Sequence, residues 1–265
     1  MKISIITPSY NQAEYIEKTI QSVLSQKGDF ELEYMVMDGG STDGTIEILR
    51  KYEKRLKWFS EKDKGQSDAI NKGFKLATGD IIGWINSDDM YEPGAFQKVI
   101  NFFANNPDKK WVYGRCRIID EKGKEIRKLI TLYKNIISRR FSYRLLLTEN
   151  YISQMSVFFK KEIFNIIGYL DINSHLVMDY DYWLRIGKLY PAGVINELIA
   201  YFRWYTHSKS GSDYKRQLKE AYETACKHAG KARLPLFFHK LNCLKIEFIY
   251  NIAKIVKNIT KRGRS

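Results

Sequence analysis

The sequence predicts an α/β fold built on a largely parallel sheet. Short apolar runs at 2–7, 32–37, 57–60 and 81–86 are typical of buried strands, and helical stretches lie between them. Polar turns follow the ends of these runs, as expected where parallel strands lead into helices. Ligands of such sheets bind beyond the carboxyl ends of the strands. The turns after the strands are therefore the first place to look for function.

The helices are predicted from apolar spacing and capping residues. Asn11 is expected to cap a helix over about 13–26. Further helices are predicted through Ile46 and Leu49 and over about 66–77, 177–189, 214–229 and 235–261. Residues 111–127 are expected to form a hairpin, and 192–205 one or two strands.

The charge is unevenly distributed along the 265 residues. The net charge is +14, of which residues 1–105 contribute −3, residues 106–227 contribute +9 and residues 228–265 contribute +8. An acidic first part indicates a site for cations, and a basic remainder indicates an anionic partner. We expect residues 1–212 to form one domain with halves 1–105 and 106–212, and residues 213–265 to form a basic amphipathic helical extension.

Several classes of protein are disfavoured. The three cysteines are widely spaced, which gives no disulfide framework and no zinc motif. No run of 18 apolar residues predicts a membrane span, and the N-terminal apolar run is too short for a signal peptide, so a cytoplasmic protein is expected. The glycine motifs of dinucleotide-binding and P-loop enzymes and the serine hydrolase elbow are missing. A basic nucleic-acid-binding protein is the main alternative from another class, but most aromatic residues fall at core-like positions, so no nucleic acid is expected as partner.

Acidic and turn residues follow four predicted strands. These residues are Thr7 to Asn11, Asp38 to Gly40, Glu61 to Gly65 and Asn86 to Asp89. Carboxylates that meet on one edge of a sheet repel each other unless a cation or hydrogen-bond donors compensate. Oxygen ligands of this kind suit Mg²⁺ or Mn²⁺. Taken singly, Asp88 and Asp89 have a simple structural explanation at a helix start, and it is the combination of four turns that favours a site.

These turns belong to longer stretches that resemble the family 2 inverting glycosyltransferases of GT-A fold. The matching stretches are IITPSYNQAEYIEKTIQSVLSQ, MDGGSTDGT, EKDKGQSDAINKGFKLATGD, IGWINSDDMYEPGA and VMDYDYWLRIG. They cover residues 3–95 almost continuously and return at 154–189. The resemblance implies an enzyme that transfers a sugar from a nucleoside-diphosphate donor, most simply a UDP-sugar, with a divalent cation as cofactor.

The resemblance also implies donor-binding residues. Thr7, Pro8 and Tyr10 would line the nucleoside pocket, and Asp38 would accept a hydrogen bond from the base. Asp63 would contact the nucleoside. Asp68 would face the donor sugar.

The acidic motif and the base are implied in the same way. Asp89 would touch the metal and Asp88 would lie nearer the ribose, whereas Asn86 replaces the usual first Asp of the motif. Asp179 corresponds to the family's catalytic base, with Asp181 as the competing candidate. On one helix these two side chains point to different faces, so they cannot share the role. A helix-capping Asp179 is the structural alternative.

Three further residues complete the implied site. His207 would reach the metal or the pyrophosphate. Lys209 and Arg185 would contact phosphate, and a structural ion pair is the alternative for Arg185. The base would deprotonate an acceptor hydroxyl as it attacks the sugar carbon, so one displacement inverts the configuration.

The acceptor and the location follow from the basic part of the chain. The final helix has one apolar stripe through Phe237, Leu241 and Leu244, with lysines beside and opposite it. Residues 127–144 add six basic residues and no acidic one. These patterns favour peripheral attachment to an anionic membrane surface on the cytoplasmic side, where a saccharide or lipid-linked acceptor of polysaccharide synthesis would be met. Packing on the catalytic domain or in a homo-oligomer is the alternative, and a scaffold that has lost activity is disfavoured by the intact acidic residues.

Overall fold

One mixed sheet organises the chain. The computed structural model describes residues 1–205 and 213–262, with side chains as far as Phe248. The strands are β1 (Lys2–Ser9), β2 (Glu31–Asp38), β3 (Lys57–Ser60), β4 (Ile81–Trp84), β5 (Met90–Tyr91), β6 (Trp111–Ile119), β7 (Val157–Lys160) and β8 (Gly193–Arg203), in the order β3-β2-β1-β4-β7-β6-β8-β5. The α/β prediction is confirmed.

The direction of the strands gathers the functional turns at one edge. Strands β3, β2, β1 and β4 are mutually parallel, and β6 is parallel to β8. Across the sheet, the strand direction reverses between β4 and β7 and again between β7 and β6, because both of these pairs are antiparallel. Strands β1, β2, β3, β4, β6 and β8 therefore all end on one edge of the sheet, which we call the rim.

Helices cover both faces of the sheet. They are α1 (Ile16–Leu24), α2 (Thr45–Lys51), α3 (Gln66–Leu76), α4 (Ala95–Asn105), α5 (Lys128–Ile137), α6 (Tyr143–Thr148), α7 (Ile163–Ile167), α8 (Met178–Leu189), α9 (Tyr214–Ala229) and α10 (Arg233–Arg262). The apolar face of α1 is buried at Ile16, Ile20 and Val23, as the sequence spacing predicts. None of the described helices is long and apolar enough to cross a membrane.

A stack of three indoles joins the sheet to α8. The ring of Trp183 lies 5.3 Å from that of Trp84, at the end of β4, with 27° between the planes. It lies 5.6 Å from the ring of Trp111 on β6, with 18° between the planes. All three rings are fully buried, and stacked aromatic pairs add about 0.5–1.5 kcal/mol each to the area that they bury. The stack therefore fixes α8 against β4 and β6, the two strands that flank β7 in the sheet.

The cap predicted for the first helix is wrong. The helix begins at Ile16, after Tyr15, and no side chain caps it. Asn11 adopts a left-handed backbone with φ of 52°, and its side-chain oxygen accepts from the backbone N–H of Thr42 instead. An Asn tolerates this conformation better than most residues, so the side chain links two rim turns.

The predicted hairpin over 111–127 is only half formed. Strand β6 is long and pairs with β7 and β8, while the return arm makes a single bridge between Ile119 and Glu125. Asp120 closes the turn by accepting the backbone N–H groups of Lys122 and Lys124. The region predicted as one or two strands is one strand, β8. The sequence patterns do not predict β5, β7, α5, α6 or α7.

The C-terminal helices contribute apolar side chains to the core and make polar contacts with the rest of the chain. His228 of α9 lies 2.8 Å from Asp181 of α8. Glu220 accepts from the backbone N–H of His175, and the buried His239 of α10 donates from Nδ1 to the Leu147 carbonyl at 2.9 Å. The division of the chain at 212/213 stays a prediction.

Candidate active site

The turns after β1 and β2 are tied together by backbone and side-chain bonds. The Asn11 N–H donates to the Ser41 hydroxyl at 2.8 Å, and the Gly39 N–H donates to the Ser9 carbonyl at 2.8 Å. Asn11 also accepts from Thr42 at 2.9 Å. The two turns therefore form one rigid wall of the rim.

Asp38 stands in this wall with its carboxylate well supplied with donors. Its Oδ2 accepts from the N–H groups of Gly40 and Ser41 at 3.0 and 2.9 Å and from the Ser60 hydroxyl at 2.7 Å. Its Oδ1 accepts from the Ser41 hydroxyl. The side chain is 2% exposed. These hydrogen bonds hold the Asp38 side chain in one orientation at the end of β2, and the base contact implied for it stays a prediction.

Of the three residues implied for the nucleoside pocket after β1, one presents surface. Thr7 is fully buried and its hydroxyl pairs with that of Tyr34 at 3.0 Å. Pro8 is also buried. Tyr10 is 63% exposed. Tyr10 can therefore form the face of a pocket, while Thr7 and Pro8 support the strand beneath it.

Asp63 and Asp68 approach the same wall from the start of α3. A Cβ at Gly39 would lie 2.7 Å from Oδ2 of Asp63, so only a glycine lets this carboxylate come so close. Its Oδ1 accepts from the Gly65 N–H at 2.8 Å. Asp68 accepts from the Lys64 N–H at 3.1 Å and lies 3.5 Å from the Lys72 ammonium. Both implied donor residues are at the rim.

Asp88 and Asp89 lie beyond the end of β4 with fewer compensating groups. Asp89 has no exposed surface; its Oδ1 accepts from the Arg203 N–H at 2.8 Å and its Oδ2 from the Asn86 amide at 3.2 Å. Burial, and then the charge of Asp88, raises the pKa of Asp89 well above its usual range. Burial also raises the pKa of Asp88, which accepts from the Tyr205 hydroxyl at 3.0 Å.

The donor set of this pair fits a hard divalent cation. Two adjacent carboxylates with raised pKa values are stabilised as anions by a positive charge placed beside them. Mg²⁺ and similar ions are commonly held by one or two carboxylates together with substrate phosphates. Among the described residues no group of three or more His, Cys, Asp or Glu side chains is arranged to hold a metal.

Two residues that support this motif were missed by sequence reasoning. Arg203 is 1% exposed, and its guanidinium donates to the carbonyl oxygens of Asp88, Asp120 and Glu121. Tyr205 binds Asp88, and its ring lies 5.0 Å from that of Tyr15. A basic residue at the end of a buried strand was the available signal, because an arginine there needs several acceptors.

Asp179 lies in the first turn of α8 and does not cap it, because the capping position is Val177. The Asn150 amide approaches its Oδ2 at 3.4 Å, and its Oδ1 accepts from the Tyr180 N–H. Asn150 was also missed, since no spacing in the sequence links it to α8. The Oδ1 of the Asn150 amide is buried with no partner among the described residues.

Asp181 faces away from Asp179, as the helix spacing predicts. It lies 2.9 Å from Arg185 and 2.8 Å from His228. Although burial opposes it, the hydrogen bond from His228 and the charge of Arg185 lower the pKa of Asp181. A carboxylate held in this way is a weak base, so Asp179 remains the better placed of the two.

Three contacts bring the start of α8, which carries Asp179, and the turn with Asp88 and Asp89 to the same part of the rim. Gln66 at the start of α3 donates to Asn86 at 2.8 Å. Ser67 donates to the Met178 sulfur at the start of α8. Gln154 donates to the Trp84 carbonyl at 2.7 Å. The start of α3 therefore bridges Asp88 and Asp89 on one side and Asp179 on the other.

The remaining implied residues stand apart. Arg185 donates to Asp181 and to the carbonyl oxygens of Ile167 and Tyr169, which is the structural role that was the alternative to a phosphate contact. Its phosphate contact stays a prediction without support from these bonds. His207 and Lys209 lie outside the described residues, and their roles stay predictions.

The sequence is similar to a known protein family and to several curated proteins. The family described as "Glycosyl transferase family 2" matches residues 4–165. A Haemophilus influenzae protein named as an uncharacterized glycosyltransferase is 32% identical over 186 residues, which are 69% of this chain and 70% of that protein. The chondroitin synthase of Escherichia coli is 29% identical over 203 residues, 74% of this chain and 28% of that protein. The chain spans about a third of the length of the first curated relatives that it matches.

Solved structures share the fold at low identity. A mannosyltransferase from Pyrobaculum calidifontis, in complex with GDP-Man and Mn²⁺, has a TM-score of 0.68 and 19% identity, with 85% of this chain and 64% of that chain covered. The S. aureus TarS fragment 1–349 in complex with UDP-GlcNAc has a TM-score of 0.64 and 19% identity, with 84% and 66% covered. At this identity the likeness shows the fold. With the family match over more than half of its length, the chain belongs to glycosyl transferase family 2 and has the GT-A fold of those enzymes.

Proposed function

We propose that this chain transfers a hexosyl or N-acetylhexosaminyl group from a UDP-sugar to a hydroxyl of a glycan or lipid-linked saccharide, with inversion at the sugar carbon. The observation that carries the proposal is that the start of α3 contacts both the turn that holds Asp88 and Asp89 and the first turn of α8, which holds Asp179. The nucleotide-sugar complexes of TarS and of the Pyrobaculum enzyme support the donor class. Production of a surface polysaccharide or glycoconjugate is the role that such a transfer would serve.

The donor would lie along the wall formed by the turns after β1 and β2. Tyr10 offers an exposed ring to a base, and Asp38 offers an oxygen that is held in place by its own turn. Asp63 reaches the same wall because Gly39 has no side chain. Preorganised groups of this kind bind a nucleoside without the cost of ordering them first.

Asp89, with Asp88 beside it, would hold the cation, which when bound neutralises charge on the departing diphosphate. Asp179 would accept the proton of the acceptor hydroxyl as its oxygen forms a bond to the anomeric carbon. The bond from that carbon to the diphosphate oxygen breaks in the same step, so the nucleoside diphosphate leaves and the configuration inverts. A single base is enough, because no covalent sugar–enzyme intermediate forms.

A thermal-shift panel tests the donor, and product analysis tests the stereochemistry. UDP-glucose, UDP-GlcNAc and GDP-mannose should be compared with and without Mn²⁺; a donor at 100 times its Kd should stabilise the fold by about 2.7 kcal/mol. We expect a UDP-sugar to give the largest shift, and only with metal. A shift from GDP-mannose alone would overturn the uridine assignment, and retention of the anomeric configuration in the product would overturn the single displacement.

A further inference from the structure

Helix α5 turns its apolar stripe toward solvent. Leu129, Leu132, Tyr133 and Ile136 follow the spacing of one helix face, and their exposed fractions are 81%, 56%, 47% and 49%. Thr131, a polar residue, is buried on the opposite face. A helix that served only to cover the sheet would bury the stripe and expose the polar residue.

Helix α10 shows the same arrangement along its described part. Leu234, Phe237, Leu241, Leu244 and Phe248 share a face and are 66%, 58%, 44%, 55% and 66% exposed. The opposite face holds the buried His239, which binds the Leu147 carbonyl. The inner face, where His239 is buried and Leu236 packs against the core, is therefore used for docking on the domain, and the exposed stripe is left outside.

The two outward stripes border each other. Glu149 accepts from the Tyr133 hydroxyl of α5 at 2.8 Å and lies 3.4 Å from the Asn242 amide of α10. The Lys245 ammonium of α10 lies 6.0 Å from the centre of the Tyr133 ring. We call the exposed faces of α5 and of residues 233–248 the anchor surface.

Positive charge surrounds the anchor surface. The stretch 127–144 contains six basic residues and no acidic one. Residues 233–248 of α10 add Arg233, Lys240 and Lys245 against Glu247 alone. Within the described part of the chain, none of these basic side chains forms an ion pair with a carboxylate.

We propose that the anchor surface lies in the interface of an anionic lipid bilayer, with both stripes among the acyl chains and the basic residues at the headgroups. An exposed apolar face ringed by basic residues is complementary to such a surface. A second copy of the chain fits less well, because pairing two anchor surfaces brings like charges together. Two helices share the insertion, so the contact does not depend on α10 alone.

The anchor surface begins beside the candidate active site. Arg127, which immediately precedes α5, stacks on the Trp204 ring at 3.6 Å. Tyr205, which follows Trp204 in the chain, donates a hydrogen bond from its hydroxyl to Asp88. An anchored enzyme therefore holds its rim close to the bilayer surface. On this point the inference rests on the proposed function: the acceptor is then a saccharide whose lipid part stays in the membrane.

Vesicle flotation of the full chain tests the anchor surface. Wild type should float with vesicles that contain phosphatidylglycerol and not with vesicles of phosphatidylcholine alone, and high salt should release it. The triple variant Leu129→Ser/Leu132→Ser/Ile136→Ser should lose flotation and keep its melting temperature, since all three side chains are exposed. The matched control Leu76→Ser/Leu189→Ser changes two exposed leucines elsewhere and should float like wild type.

Charge is tested in the same way. Arg139→Gln/Arg140→Gln should weaken binding about fivefold for each charge removed. The control pair Lys51→Gln/Lys54→Gln, exposed around the end of α2, should leave binding unchanged.

The outcomes separate the occupants. Failure of wild type to float, or equal flotation of the triple variant, overturns the proposal. A concentration-dependent dimer that the triple variant abolishes, without flotation of wild type, makes the surface a self-interface instead. Donor-induced stabilisation measured without lipid should be the same in wild type and in all four variants, so a failure of the proposed function appears there and not in flotation.

Discussion

The turn after β2 and the turn after β4 both bring carboxylates to the rim, and they treat them differently. Asp38 accepts from two backbone N–H groups and the Ser41 hydroxyl within its own turn, and from the Ser60 hydroxyl. Asp89 is more deeply buried, has a second carboxylate beside it, and accepts from one backbone N–H and one amide. Burial raises the pKa of Asp89 well above its usual range.

The difference separates a carboxylate that the protein alone can satisfy from a pair that requires a partner. The Asp38 carboxylate, whose oxygens already have hydrogen-bond donors, is part of the local structure, and its removal should destabilise the fold. A pair with raised pKa values destabilises the fold while both groups are ionised, so its retention calls for a function. The comparison therefore predicts opposite effects of neutralisation at the two turns.

The largest effect is expected on activity at the second turn. Asp89→Asn should reduce transfer by at least about 10²-fold, because an amide is a poor ligand for a hard cation. In EDTA its melting temperature should equal or exceed that of wild type, since one buried like charge is gone. Activity assays and thermal melts check both parts. Full activity of wild type in EDTA would remove the cation from the reaction and reduce the pair to a structural turn.

A second large effect distinguishes the two carboxylates of α8. Asp179→Asn should lower turnover by roughly 10²-fold or more, the usual scale for loss of a general base, with donor binding retained. Asp181→Asn should cost less in turnover and more in stability, because it leaves Arg185 and His228 without their anionic partner. Single-turnover rates and donor-dependent melts measure the two. An active Asp179→Asn beside an inactive Asp181→Asn would move the base by two residues.

The third effect is on stability at the first turn. Asp38→Asn should destabilise the fold by about 1–3 kcal/mol, because the new amide nitrogen cannot accept from the donors around it. Ser60→Ala, which removes a single donor, is the matched control and should cost about 1 kcal/mol or less. Urea unfolding of the two variants measures the difference. Equal midpoints would mean that the turn does not depend on its carboxylate.

The smallest effect extends the comparison to the buried histidine His239. Burial lowers the pKa of His239, with the Leu147 carbonyl opposing the shift. A group whose pKa is lowered by folding gives stability that is present above its unfolded pKa, about 6.5, and is lost as pH falls toward the folded value. Between about pH 7.5 and 5.5, wild type should therefore lose more stability than His239→Asn. Parallel pH dependence of the two urea midpoints would contradict this.

The sequence predicted the strands of the first half and the motif turns well, because apolar runs and polar turns alternate there at short spacing. It did not predict β7 or α5 to α7. In those segments, aromatic and basic residues interrupt the apolar spacing that is typical of a helix or of a strand. Within the site, Asp38, Asp88 and Asp89 follow strands and could be placed by topology. Asn150 could not, since its contact with Asp179 depends on how two distant segments pack. The cap expected at Asn11 failed because a loop far along the chain competes for the same oxygen.

The stack of Trp84, Trp183 and Trp111, in the apolar interior, helps to set where Asp179 lies in the candidate active site. The position of Asp179 relative to Asp89 depends on ring thickness and ring angle four residues further along α8. Changes in the size of these rings would alter the distance between Asp179 and a bound sugar donor while every charged side chain stayed the same. Two related enzymes with identical polar sites can therefore differ in rate, and the cause would be invisible in a comparison of their catalytic residues.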